Sequence, residues 1–172
     1  MDGQELSRDD VVAFMCAIGA SLHAMKKMQV EQEEIDHGAA IVLSVLWRNG
    51  PKRPSDIAHV AGLDLSTVSR HARFQEEAGR VVKVADPVDR RAHRLALTAA
   101  GIAHMDRMWN KRIDRLRELI GHWSPEDART LTALTERLAA DLGQKVPLEL
   151  PDPELVRATH EAAIAESTPK GA

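Results

Sequence analysis

The feature that constrains this chain most is one fourteen-residue run, IAHVAGLDLSTVSR, from Ile57 to Arg70. It sets Ala58, Gly62 and Val68 at spacings that each have a packing reason. A small residue at Ala58 lets a second helix cross close by, Gly62 supplies the positive φ of a tight turn, and Val68 fills the angle between the helices. The first helix so defined starts near Pro54, with Ser55 and Asp56 in its first turn, and stops at Gly62. The second starts at Asp64 or Leu65 and ends before Gly79. Two short strands follow, one on Val81, Val82 and Val84 and one on Leu95 and Leu97, around a polar turn that begins Asp86-Pro87. A helix pair with a hairpin close behind it is a winged helix-turn-helix.

The rest of the chain reads as helix. Val11, Phe14, Met15, Ile18, Leu22, Met25 and Met28 recur at steps of three and four, marking one face of a helix from about Asp9 to Gln32. Ala39 to Trp47 is apolar nearly all round, as in a helix buried on most sides, and Asn49, Gly50 and Pro51 close it. Ala99 to Ile120 carries a stripe of Ile102, Met105, Trp109, Ile113, Leu116 and Ile120. Ser124, Pro125 and Asp127 form an N-cap, an N1 proline and an acidic N3. Leu131, Leu134, Leu138 and Leu142 stripe the helix they start, and Gly143 ends it. Pro147 to Pro153 is a linker into a weaker helix ending near Glu166, and the terminal Ser-Thr-Pro-Lys-Gly-Ala is expected to be disordered.

A net charge of −3 does not announce a nucleic-acid binder, but the charge is uneven, with a locally basic middle between acidic ends. Between Arg48 and Thr98 there are ten Lys/Arg against six Asp/Glu, and elsewhere thirteen against twenty. Aromatic residues make up 3% with no Tyr, too few for the stacking platforms that hold single strands, so duplex DNA is the expected partner. No apolar run approaches the length that crosses a bilayer, and no signal peptide precedes the first helix, so the cytoplasm is the expected compartment.

Leu65, Val68 and Ala72 are predicted to face the core, which turns Ser66, Thr67, Ser69, Arg70, Arg73 and Phe74 outward. Hydroxyls suit phosphates or bases, and an arginine can hold guanine O6 and N7 bidentately in the major groove. At the hairpin tip, Asp86-Pro87-Val88-Asp89-Arg90-Arg91, two adjacent arginines on a narrow protrusion can reach a minor groove, with Asp89 pairing to stiffen the turn.

Residues Leu46 to Gly101, above all RPSDIAHVAGLDLSTVSRH, EEAGRV, DPVDRRAHRLALT and the Gly101 that follows, resemble the MarR family of transcription regulators. The resemblance implies a mainly α fold with a small β-hairpin wing and an interlocked helical dimerisation region. It implies a homodimer that reads a palindromic operator, most often as a ligand-responsive repressor, with Arg90 or Arg91 in the minor groove. The corresponding division is a dimerisation helix over 1–34, the DNA-binding domain over 35–98, dimerisation helices over 99–146, and an extra helix with a tail over 147–172, which could brace the dimer or dock loosely. Gln75 and Arg80 depart from the family pattern, which has leucines there; Gln75 falls on the core side, so something polar should lie beside it.

The resemblance also implies a cleft for small aromatic or anionic effectors. Met15, His23, His37, Trp47 and Trp109, with Met25, are candidates by location, against the plainer reading of core packing and solvated histidines. Cys16, among apolar residues, is expected to be an inert buried thiol. The histidines lack a metal-binding spacing, no cofactor loop is present, and no catalytic motif marks an enzyme. The rival readings are an architectural protein that binds DNA without sequence preference, and an enzyme fragment that uses the winged helix to dimerise.

Overall fold

The computed structural model describes residues 5–32, 37–89, 91–143 and 150–167. The chain forms two units, Met1–His37 and Gly38–Ala172. In the first, α1 (Arg8–Gln32) opens on a reciprocal cap: Ser7 Oγ accepts from the Asp10 amide at 3.1 Å, and Asp10 Oδ2 accepts from the Ser7 amide at 3.1 Å. Its apolar residues Val11, Phe14, Met15, Leu22 and Met25 are exposed. Cys16 is exposed too, which corrects the expectation of a buried thiol: among the described residues of its own unit α1 finds no core to enter.

The second unit is built on α2 (His37–Asn49), α3 (Pro54–Ala61), α4 (Leu65–Glu77), the strands β1 (Val81–Ala85) and β2 (His93–Leu97), α5 (Ala99–Ile120), α6 (Pro125–Asp141) and α7 (Pro153–Ser167). Val42, Leu43 and Leu46 of α2 meet Ile57, Val68, Leu95, Leu97, Ile102 and Met105 in one core. The strands pair antiparallel, Val81 opposite Leu97 through Ala85 opposite His93. Lys52 adds a short third rung by exchanging two backbone hydrogen bonds with Leu95. The fold is the predicted one, helical with a two-stranded hairpin. No helix among the described residues is long and apolar enough to cross a membrane.

The Thr98 to Gly101 step shows why LTAAG reads as it does. Thr98 caps α5 through its hydroxyl oxygen, which accepts from the Gly101 amide at 3.1 Å, while the same hydroxyl donates to the Gly79 carbonyl at 2.7 Å. The Thr98 amide donates to the Arg80 carbonyl at 3.0 Å. A Cβ added at Gly101 would lie 2.1 Å from that carbonyl oxygen, so only glycine fits.

The last helix is firmer than its sequence led us to expect. Val156, His160 and Ala163 are buried, and α7 packs on α5, β1 and β2. Ser167, placed in the expected tail, is its last residue; 168–172 lie outside the described residues.

Candidate nucleic-acid interface

The turn between α3 and α4 is made as the sequence requires. Gly62 sits at φ 65°, and the Leu63 amide donates to the Ala58 carbonyl at 3.0 Å. Asp64 then caps α4: its carboxylate accepts from the Thr67 amide at 2.8 Å and from the Thr67 hydroxyl at 2.6 Å, and from the Ser66 hydroxyl as well. Those hydroxyl bonds, the Ser66 one foremost, hold the Asp64 carboxyl well below the usual carboxylate range.

Val68, Ala72 and Gln75 are buried on the inner face of α4, and His71 joins them. Leu65, expected inside, is 52% exposed. It occupies the first helical turn, where a side chain leans back over the N-terminal end rather than down onto the core. Ser66, Ser69, Arg70, Arg73 and Phe74 are exposed, and Thr67 is half-buried. The hydroxyls are engaged locally: Ser66 and Thr67 donate to Asp64, and Ser69 donates to the Leu65 carbonyl at 2.8 Å. Since each hydroxyl has one proton, these donors must turn away from Asp64 or Leu65 before they can meet a phosphate. Arg73 Nε holds Glu77 at 2.9 Å across one helical turn.

Gln75 has the polar neighbour its position demanded: Arg80 Nη1 donates to Gln75 Oε1 at 3.1 Å. The two departures from the leucine pattern therefore satisfy one another.

The wing hangs beside α4 and is tied to it by Lys83, whose ammonium lies 3.0 Å from Glu76. Between them Pro54, Ser69, Arg73 and His93 help line a groove of about 300 Å³. At the tip Val88 is 91% exposed and Arg91 is exposed, while Arg90 lies outside the described residues. Asp89 supports the turn, though through backbone: its Oδ1 accepts from the Arg91 amide at 3.0 Å.

Residues 38–93 match the model of the MarR family. This segment is a MarR-family domain. YxaD, an uncharacterized HTH-type transcriptional regulator of Bacillus subtilis, is 26% identical over 60% of this chain and 73% of its own length. PrsX, an HTH-type transcriptional regulator of Escherichia coli, is 25% identical over 70% of this chain and 78% of its own. A MarR family protein from Bacillus stearothermophilus superposes with a TM-score of 0.68 at 18% identity, over 81% of this chain and 100% of that one.

Within this MarR wing the main anchor is a residue the sequence reading passed over. Asp86 is buried, its Oδ1 accepting from the amides of Val88 at 2.9 Å and Asp89 at 3.0 Å, and its Oδ2 from Arg53 Nε at 2.9 Å. The Arg53 guanidinium foremost, then the Asp89 amide, hold its carboxyl well below the usual range against the opposing effect of burial. One carboxylate thus folds the tip and fastens it to the residue before α3. The available signal was the Asp-x-x-Asp spacing, which is that of a turn closed by its first carboxylate. Its partner, thirty-three residues upstream, carried no local signal.

The residues proposed for an effector cleft are not all brought together. Met15 and His23 are exposed on α1 in the first unit, and the His37 side chain lies outside the described residues. Trp47 and Trp109 stack at 5.6 Å with an interplanar angle of 21°, and both line a cavity of about 450 Å³ with Asp106, Asn110 and the run from Leu150 to Pro153. Both indole Nε1 atoms are buried and lack a hydrogen-bond partner among the described residues. The guanidinium carbons of Arg48 and Arg112 lie 5.4 and 5.5 Å from the Trp109 ring centre.

Proposed function

We propose that this MarR-family transcription regulator is a repressor that binds a palindromic site on double-stranded DNA as a homodimer and releases it in response to a small aromatic or anionic ligand. The observation that carries the reading is the pairing of an exposed helix face, bearing Arg70 and Arg73 behind a well-capped N-terminus, with a wing tip whose shape is fixed by a buried carboxylate. Side chains held by packing and caps can read base edges without a large ordering cost. The names of YxaD and PrsX, as HTH-type transcriptional regulators, agree with it.

Dimerisation is supported by large apolar residues left in solvent: Phe14, Met15 and Leu22 on α1, Ile113, Leu116 and Leu119 on the distal half of α5, and Leu131 and Leu134 on α6. Exposed stripes of this extent mark association surfaces. They support assigning 1–34 and 99–146 to the dimer and 35–98 to DNA; a role on DNA suits the cytoplasm. The effector reading rests on the tryptophan cavity, whose lining of Trp47, Trp109 and Ile113 suits a flat aromatic ring.

The test is selection of preferred duplexes from a random pool, followed by titration of Arg70→Ala and Arg91→Ala. Arg70→Ala should relax base preference at one position per half-site at a cost of about 1–3 kcal/mol, whereas Arg91→Ala should weaken binding to every sequence and lower the salt slope by about 1. Half-sites should lie about 10 base pairs apart. Recovery of no palindrome, or unchanged binding in both variants, overturns the assignment.

A further inference from the structure

The extra C-terminal helix has one inward-facing stripe that reaches from the core to the base of the wing tip. Val156, His160, Ala163 and Ser167 fall at i, i+4, i+7 and i+11, on one side of α7. Val156 enters the main core. Ala163 and Ile164 pack against Val82, Val84 and Ala96, so the outer face of the hairpin is apolar and covered. Ser167 Oγ accepts from the Ala85 amide at 2.8 Å, one residue before the Asp86 anchor.

His160 is fully buried between two backbone groups that fix its form. The Leu97 amide donates to Nδ1 at 3.0 Å, so that nitrogen carries no proton. Nε2 lies 3.1 Å from the Leu46 carbonyl and must be the protonated one. A single neutral imidazole therefore joins the end of α2 to the end of β2. A leucine at this place would fill the space but leave the Leu97 amide unmet, while the Leu46 carbonyl would keep only the Gly50 amide, 2.8 Å away.

We propose that α7 is a brace for the wing and that His160 is its positioning residue, setting the pitch of the hairpin so that Arg91 is held beside α4 when DNA is bound. This rests on the DNA-binding reading above. The helix contributes nothing that touches DNA; it removes freedom from an element that does. A hairpin of two strands is marginal alone, and covering its second face is what lets it stay put.

The brace is tested on the full chain with His160→Leu, His160→Asn and Ser167→Ala. Amide exchange in the free protein should rise about tenfold at Leu97 in His160→Leu and at Ala85 in Ser167→Ala, the effect of one lost hydrogen bond, while Val68 in α4 keeps its protection. His160→Asn, whose amide oxygen can again accept from Leu97, should recover most of the protection at that site. Binding of a random-sequence duplex should weaken in His160→Leu, with a salt slope smaller by about 1, and return in His160→Asn. Ser167→Ala removes only an end contact, so it stays folded and informative if His160→Leu does not. Unchanged exchange at Leu97 and Ala85 overturns the brace, whatever the DNA results. Faster exchange with unchanged duplex binding overturns its positioning role, and absence of duplex binding by the wild type defeats the DNA-binding reading on which that role depends.

Discussion

Replacing Arg80 by leucine exchanges a half-buried charged residue for an apolar one, and it should nonetheless destabilise this protein. Gln75 is fully enclosed, and its Oε1 accepts from Arg80 Nη1 at 3.1 Å. Arg80→Leu removes that charged donor from a buried acceptor, at a cost of about 1–3 kcal/mol. Gln75→Leu removes the buried polar group instead; the half-buried guanidinium turns to water and the new leucine gains apolar burial, so the net change should stay within about 1 kcal/mol. The double variant removes both members of the pair and should recover most of the stability that Arg80→Leu loses. The coupling energy is then about 1–2 kcal/mol, well beyond the roughly 0.5 kcal/mol scatter of independent sites. Urea unfolding followed by far-ultraviolet circular dichroism, at one fixed protein concentration because the proposed dimerisation would add to stability, measures all four proteins. In a chain of this size Arg80→Leu should lower Tm by about 2–4 °C for each kcal/mol lost. Additive effects, or an Arg80→Leu variant as stable as the wild type, would refute the pairing.

Gly101→Ala puts a methyl 2.1 Å from the Arg80 carbonyl oxygen and should cost more than the roughly 1–3 kcal/mol of ordinary overpacking, read in the same unfolding assay; a neutral substitution would contradict the close approach. Burial lowers the pKa of His160 from its ordinary 6.5, outweighing the Leu46 carbonyl that favours the charged form. Its contribution to stability is complete above about pH 6.5 and is lost as the pH falls toward the folded value, by at most about 1.4 kcal/mol per pH unit, because the unfolded chain takes up the proton first. His160→Asn should flatten that slope, and parallel curves for the two proteins would refute it. Benzoate, a small planar carboxylate, should perturb tryptophan emission in the wild type and bind more weakly to Trp47→Phe; an unchanged spectrum would count against the cavity as an effector site.

What the sequence made legible was local. Periodicity marked each helix, and the stop at Gly62 and the cap at Ser124 were readable because their causes lie within four residues. The polar partner of Gln75 was foreseeable as a requirement, and Arg80, five residues on, met it. The failures have distance or context in common. Arg53 and Asp86 are separated by thirty-three residues, and His160 from Leu46 by one hundred and fourteen, so no spacing rule connects them. Leu65 fitted the inward stripe by angle, but the stripe assumes a helix continuing in both directions, and Leu65 stands at its start. The hydroxyls of Ser66 and Thr67 were counted as free for DNA because their neighbour Asp64 was not read as their acceptor.

The Gly101 contact leaves no room for a hinge where the reading head joins α5. With Thr98 bonded to both Gly79 and Arg80, any movement of that helix carries the hairpin and its neighbours with it as a lever carries its load. At 22 residues α5 is about 33 Å long, so a tilt of about 5° pivoted at its far end swings the head by about 3 Å. That is close to the spacing of one base pair along the duplex, about 3.4 Å. A disturbance too small to notice at the end of the rod is enough to put the head out of step with its site.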